Sequence, residues 1–200
     1  FTSTCISSKL HISFINFKLR HICVFSIQKF MKSKKNLVLI GMMSSGKSTI
    51  GDLLAKKLNF KFFDIDKIIE NETKMKITEI FKIKGENFFR NLEEKTTVKL
   101  LNFSNVVISL GGGGFVNEII RKETNTKSKT FWLDWNLDTL ISRIRKRNNR
   151  PVALALNNNE LKNLIIKRSK YYSKAKYKIN CQKLTRPEII KKILNLYESS

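Results

Sequence analysis

The stretch Gly41-Met42-Met43-Ser44-Ser45-Gly46-Lys47-Ser48-Thr49 constrains this chain more than any other. It satisfies G-x-x-x-x-G-K-[ST], a loop whose backbone N–H groups cradle phosphate. Such a motif carries weight only in context, and the context is present. Asn36-Leu37-Val38-Leu39-Ile40 is a short apolar run, as a buried parallel strand requires. Beyond the loop, Ile50, Leu53, Leu54 and Leu58 recur at helical spacing and predict a helix over 47–58. A strand, a glycine loop and a helix N-terminus together make an anion cradle, because N–H groups point inward and the helix dipole favours negative charge. Gly41, Ser44, Ser45, Gly46 and Thr49 belong to that cradle. Lys47 is placed to reach the β- and γ-phosphates, and the Ser48 hydroxyl to take one position on Mg²⁺.

From Met31 onward, apolar runs alternate with helical patterns, the signature of an α/β fold with helices on both faces of a parallel sheet. Strands are predicted at 36–40, 61–65, 105–110, 130–134 and 177–180. Helices are predicted at 47–58, 66–84 (broken), 86–102, 115–122, 136–146, 159–174 and 186–198. A length of 200 residues suits a single domain. Residues 1–30 hold no Asp or Glu, several Ser and Thr, and Lys9, Lys18, Arg20 and Lys29. They are read as an extension outside the fold, upstream read-through in preference to a transit peptide, since Met31 is a natural start before the first strand. The expected location is the cytoplasm, or a plastid or other organelle if that segment is a targeting signal.

The formal net charge of +23 would suit nucleic acid or an anionic membrane. The excess is spread along the chain, however, and no aromatic–basic module stands out, so neither partner is expected. No apolar run is long enough to span a bilayer. Cys5, Cys23 and Cys181 are scattered and odd in number, which suggests neither a disulfide framework nor a zinc site. Both histidines lie before residue 31, so acid–base chemistry in the domain must use carboxylates, lysine or arginine.

Three further stretches can carry chemistry. If Phe62-Phe63-Asp64-Ile65-Asp66 ends a strand, Asp64 and Asp66 share a face near the phosphate loop. One could help hold Mg²⁺ and the other accept a proton from an attacking hydroxyl. On a helix over 86–102, Glu86, Arg90 and Glu93 lie on one face. That is either an exposed ion-pair ladder or an arginine aimed at an anionic substrate. Asn105-Val106-Val107-Ile108-Ser109-Leu110 empties into Gly111-Gly112-Gly113-Gly114, whose entropic cost suggests close backbone approach to a ligand. The cluster Arg143, Arg145, Lys146, Arg147 and Arg150 before Pro151 reads as a mobile loop between two helices.

In this order the motifs resemble shikimate kinase, a small P-loop kinase of the nucleoside-monophosphate-kinase structural type. The resemblance covers roughly 35–185. It rests on 41–49, Asp64-x-Asp66 with Ile69-Glu70, Glu79-Ile80-Phe81, Gly85-Glu86-x-x-Phe89-Arg90-x-x-Glu93, Gly111-Gly112-Gly113, Arg150-Pro151 and Arg168-x-x-x-Tyr172-x-x-x-Lys176. It implies a three-layer α/β/α kinase domain over 31–200, with a five-stranded parallel sheet of order 2-3-1-4-5. An acceptor-binding region would lie at about 64–94 and a lid at about 143–158. It further implies that Asp64 serves Mg²⁺ with Ser48, that Asp66 binds the shikimate hydroxyls as base, and that Arg90 and Arg168 grip the shikimate carboxylate. Glu93 would orient Arg90, and the backbone of Gly111, Gly112 and Gly113 would hold the ring. Arg150 would meet the phosphates from the lid. Arg143 falls nearest the position that packs on adenine, with Arg145 and Arg147 as alternatives.

Three departures from the pattern stand out: Ser44 and Lys74 where glycines are common, and Val152-Ala153 where two leucines are usual. The expected activity is ATP-dependent phosphorylation of the shikimate 3-hydroxyl by a monomer, with Mg²⁺ as cofactor. The rivals are a related kinase, such as a gluconate kinase, and a nucleotide- or nucleic-acid-binding protein without turnover.

Overall fold

The structure is a computed structural model that describes residues 35–146 and 156–199. Five strands form one sheet: β1 (Asn36–Ile40), β2 (Lys61–Asp64), β3 (Val106–Ser109), β4 (Ser128–Asp134) and β5 (Tyr177–Asn180). All the pairings are parallel and the spatial order is β2-β3-β1-β4-β5, as the resemblance implied. The helices between them are α1 (Lys47–Leu58), α2 (Ile65–Thr73), α3 (Ile77–Ile83), α4 (Glu86–Leu101), α5 (Glu118–Lys127), α6 (Leu137–Arg145), α7 (Asn158–Tyr172) and α8 (Arg186–Glu198). A 3₁₀ turn at Gly114–Val116 precedes α5.

The two-residue period of β1 divides the core. Val38 and Ile40 point into one apolar layer, closed by Ile65, Ile69, Phe89, Ile144, Leu161 and Tyr172 from α2, α4, α6 and α7. Leu37 and Leu39 point into the other, closed by Ile50 and Leu54 of α1 and by Ile189, Ile190 and Ile193 of α8. Helices on both faces leave every residue of β1 buried, which is why that strand reads as an unbroken apolar run. No described helix is long and apolar enough to cross a membrane.

The predicted elements differ from the observed ones where polar residues are buried or the backbone turns left-handed. The broken helix at 66–84 breaks at Lys74, whose φ of 56° caps α2, and restarts where the Glu79 carboxylate accepts from the Lys76 backbone N–H at 2.8 Å. The helix expected over 115–122 begins at Glu118 under an Asn117 cap and runs on to Lys127. Its extra turn carries little apolar signal. It is held by Glu118–Lys122 and Glu123–Lys127 pairs and by the fully buried Thr124, which donates to the Ile120 carbonyl. β4 starts two residues early because Ser128 and Thr130, although polar, are buried and satisfied by Thr124 and Asn125.

Candidate active site

The 41–49 loop, the Asp64-x-Asp66 stretch and the 111–114 glycine run each follow a parallel strand, at the edge of such a sheet where ligands collect. The 41–49 loop follows β1 and turns into α1. Gly46, with φ 95°, is the N-cap of α1, and Ser44 with φ 63° is also left-handed. These alternations curl the loop so that successive N–H groups face one centre. The Lys47 ammonium donates to the carbonyls of Gly41 (2.8 Å) and Met42 (2.9 Å). Ser44 and Ser45 are buried, and among the described residues their hydroxyls find no hydrogen-bond partner. Buried polar atoms left open in this way mark a place where a polar ligand belongs. Ser48 and Thr49, in the first turn of α1, are exposed at the loop's mouth.

The two aspartates reach the site by a different route from the one the sequence suggested. A shared strand face was expected for Asp64 and Asp66, but β2 ends at Asp64 and the chain turns at once into α2. Asp64 is the N-cap of α2: its Oδ1 faces the Lys67 N–H at 3.4 Å, while its Oδ2 accepts from the Ser48 hydroxyl at 2.5 Å. The capping preference of aspartate ends the strand one residue earlier than its apolar pattern implies. Asp66, in the first turn of α2, faces Gly111 instead. A Cβ at Gly111 would lie 2.7 Å from Asp66 Oδ1 and 2.5 Å from Glu93 Oε1.

That crowding explains the glycine run. None of the glycines at 111–114 has a left-handed φ, so backbone freedom is not what selects them. The space a side chain would need is taken by the site's own charged groups. A Cβ at Gly113 would sit 2.6 Å from Arg90 Nη1, one at Gly114 3.0 Å from Glu93 Oε1, and one at Gly112 3.2 Å from the Met43 nitrogen and 3.5 Å from Arg168 Nη1. Four charged side chains from three helices thus converge on one bare stretch of backbone beside the phosphate loop.

The ladder of α4 is real and asymmetric. Arg90 pairs through Nη2 with Glu86 Oε1 at 2.8 Å and through Nη1 with Glu93 Oε2 at 2.7 Å. Glu86 is exposed, whereas Glu93 is fully buried and its Oε1 has no hydrogen-bond partner among the described residues. Burial pushes the Glu93 carboxyl above its usual range, although Arg90 opposes the shift. An exposed ion-pair ladder has no use for a buried, half-satisfied carboxylate; a binding site does.

Arg168 arrives from α7, with Nη1 3.8 Å from the Met42 sulfur. One turn further on, the Tyr172 hydroxyl donates to the Gly112 carbonyl and so ties the glycine run to α7. Burial drives that hydroxyl up to about 12. The sequence contained Tyr172 within a motif but gave no reason for it. Lys176, the third member of the same motif, sits at the opposite end of the sheet, with its ammonium on the Ser128 carbonyl. Of the arginines weighed for the adenine position, Arg143 packs over the Trp135 ring at 3.7 Å. Arg145 is committed elsewhere, to the Leu156 carbonyl and Asn158 Oδ1. Arg147, Arg150, Pro151 and Val152-Ala153 lie outside the described residues, as does the 1–30 extension.

The shikimate kinase family model matches residues 43–198. The chain belongs to the shikimate kinase family. It is 41% identical over 160 residues to the shikimate kinase of Sulfurihydrogenibium sp., covering 80% of this chain and 96% of that protein. It is 42% identical over 161 residues to that of Persephonella marina, covering 80% and 97%. Among solved structures, shikimate kinase from Acinetobacter baumannii in complex with shikimate superposes with a TM-score of 0.79 at 29% identity, covering 86% of this chain and 97% of that one. The Aquifex aeolicus shikimate kinase gives 0.74 at 37% identity, covering 82% and 96%. Deoxyadenosine kinase from M. mycoides, at 17% identity and a TM-score of 0.59, shares the fold.

Proposed function

We propose that this site transfers the γ-phosphoryl group of ATP to the 3-hydroxyl of shikimate, giving shikimate 3-phosphate and ADP, a step of aromatic amino-acid (chorismate) biosynthesis. Family membership supports the reaction. The observation that carries the residue roles is the convergence of Asp66, Glu93, Arg90 and Arg168 on the bare backbone of 111–114, next to the phosphate loop. A small acceptor bearing a carboxylate and several hydroxyls would find two guanidiniums, one carboxylate acceptor and the half-buried peptide groups of Gly112 and Gly113 close together.

In this reading Arg90 and Arg168 grip the acceptor carboxylate, since planar guanidiniums bind carboxylates bidentately. Glu93 holds Arg90 in place, and the backbone of Gly111, Gly112 and Gly113 lies against the ring. Asp66 takes the proton of the 3-hydroxyl as its oxygen bonds to the γ-phosphorus. The bond from that phosphorus to the bridging oxygen breaks, and ADP leaves with the electron pair. Such transfer receives little covalent help, so catalysis is positioning plus charge stabilisation. Lys47 and the lid's Arg150 supply positive charge, and lid closure excludes water that would otherwise take the phosphoryl group.

Gly41, Ser44, Ser45, Gly46 and Thr49 line the phosphate cradle, where the buried Ser44 and Ser45 hydroxyls keep unused hydrogen-bonding capacity. Ser48 and Asp64 fit a hard divalent cation. Hydroxyl and carboxylate oxygens suit Mg²⁺, which takes few protein ligands beside substrate phosphates. When bound, the ion would neutralise phosphate charge. The protein would act as a cytoplasmic monomer on small molecules, without nucleic acid or membrane. The test of the central role is Asp66→Asn. Turnover should fall by about 10²-fold or more while ATP binding, followed by titration, is unchanged. An active Asn variant would remove the base assignment.

A further inference from the structure

Trp135 stands in the turn between β4 and α6, where neither the loop motif nor the acceptor motifs predict a functional residue. Its indole N–H donates to the Ser45 carbonyl at 3.0 Å, across 90 positions of sequence. The Arg143 guanidinium lies over the same ring at 3.7 Å. One side chain therefore touches the phosphate loop at its edge and the arginine nearest the adenine position on its face. We propose that Trp135 is a positioning residue for the nucleotide, setting the phosphate loop and Arg143 in register with each other.

Both halves follow from elementary geometry. A trans peptide points its C=O and the next N–H in opposite directions. Pinning the Ser45 carbonyl toward Trp135 therefore turns the Gly46 N–H away from it. That N–H begins α1 and belongs to the phosphate cradle, so the indole fixes the orientation of a cradle donor that Trp135 itself never touches. On the ring face, an aromatic surface holds a guanidinium by cation–π attraction and stacking. The outer face of the guanidinium is thereby offered as a flat platform at a fixed distance from the loop. Two residues on, Arg145 donates to the Leu156 carbonyl and Asn158 Oδ1, so the end of the helix carrying Arg143 is tied to the start of α7. The inference rests on the nucleotide site proposed above and takes Arg143, nearest the adenine position that the resemblance implies, as the base-side arginine.

The test uses the full chain and a small set of variants. Trp135→Phe keeps an aromatic face but loses the N–H; Trp135→Ala loses both. The apparent KM for ATP should rise about threefold to fivefold for Trp135→Phe and about tenfold or more for Trp135→Ala. kcat and the KM for shikimate should stay within about twofold. In an Arg143→Ala background, Trp135→Ala should cost no more than Trp135→Phe, because the platform is already gone. The chain has two tryptophans, so Trp132→Phe leaves Trp135 as the single fluorophore. ADP should then shift its emission, and this readout needs no turnover. Failure to phosphorylate shikimate would therefore leave the test standing. An unchanged KM for ATP in Trp135→Ala, equal costs in both backgrounds, or silent Trp135 fluorescence on adding saturating ADP would each overturn the proposal.

Discussion

Replacing Arg90 by methionine isolates the buried carboxylate of Glu93. The guanidinium is 2.7 Å from Glu93 Oε2, and the other Glu93 oxygen already has no partner among the described residues. Methionine keeps much of the arginine's bulk but not its charge, so a fully buried glutamate loses its nearest cation. Stranding a buried charge costs about 3–5 kcal/mol, whereas losing the pair with the exposed Glu86 costs about 0.3–0.5 kcal/mol. Glu93 can escape part of the larger cost by taking a proton. Its carboxyl is already raised by burial, with Arg90 the main opposing influence, so removing Arg90 raises it further. A carboxyl titrating higher in the folded than in the unfolded chain makes the native state bind more protons. Stability is then greatest below the unfolded value of about 4.3 and is lost as pH rises through the folded value. The deficit of Arg90→Met relative to the unaltered chain should therefore be smallest at acid pH. It should grow as pH rises, by up to about 1.4 kcal/mol per pH unit. Urea denaturation at four pH values measures it. Arg90→Met with Glu93→Gln should recover most of the loss at high pH, since no charge is then stranded. A deficit that is the same at every pH, or no recovery in the double variant, would refute the reasoning.

Other perturbations separate strain and reactivity from function. Lys74 holds φ 56° at the end of α2, so Lys74→Gly should stabilise the chain by about 0.5–1 kcal/mol, read as a higher urea midpoint with an unchanged slope. A lower midpoint would mean that Lys74 makes compensating contacts. Cys181 is fully buried and its thiol is pushed up to about 12 by burial, so site-resolved mass spectrometry should find it unlabelled by thiol reagents at pH 8 until the protein unfolds. Labelling at the rate of an unfolded thiol would show that the β5–α8 turn opens in the native state.

Features governed by local pattern were legible in the sequence. The loop at 41–49, the helix at 47–58 and the helix at 186–198 carry their own periodicity and caps, and all stand where expected. The sheet order came from the resemblance, because nothing in a strand's composition says which neighbour it pairs with. The site was legible residue by residue but not in its reasons. Asp64 was expected at a strand's end sharing a face with Asp66, yet it is a helix cap that bonds Ser48. The glycines at 111–114 suggested room for a ligand; they first make room for Asp66, Glu93, Arg90 and Arg168, brought from distant helices by tertiary packing. Two positions where the family often has glycine, Ser44 and Lys74, proved to be left-handed, which gives that preference a physical cause. Trp135 and Tyr172 left no usable signal. Each acts on a backbone carbonyl at least 60 residues away, and no spacing rule reaches that far.

The most direct test of the central claim is ADP release from MgATP by the full chain with shikimate, gluconate or a nucleoside monophosphate as acceptor. Strong stimulation by shikimate alone is the predicted result, given two arginines and Asp66 converging on the glycine backbone of 111–114. Stimulation by another acceptor instead, or by none from a folded chain that still binds ATP, would contradict it.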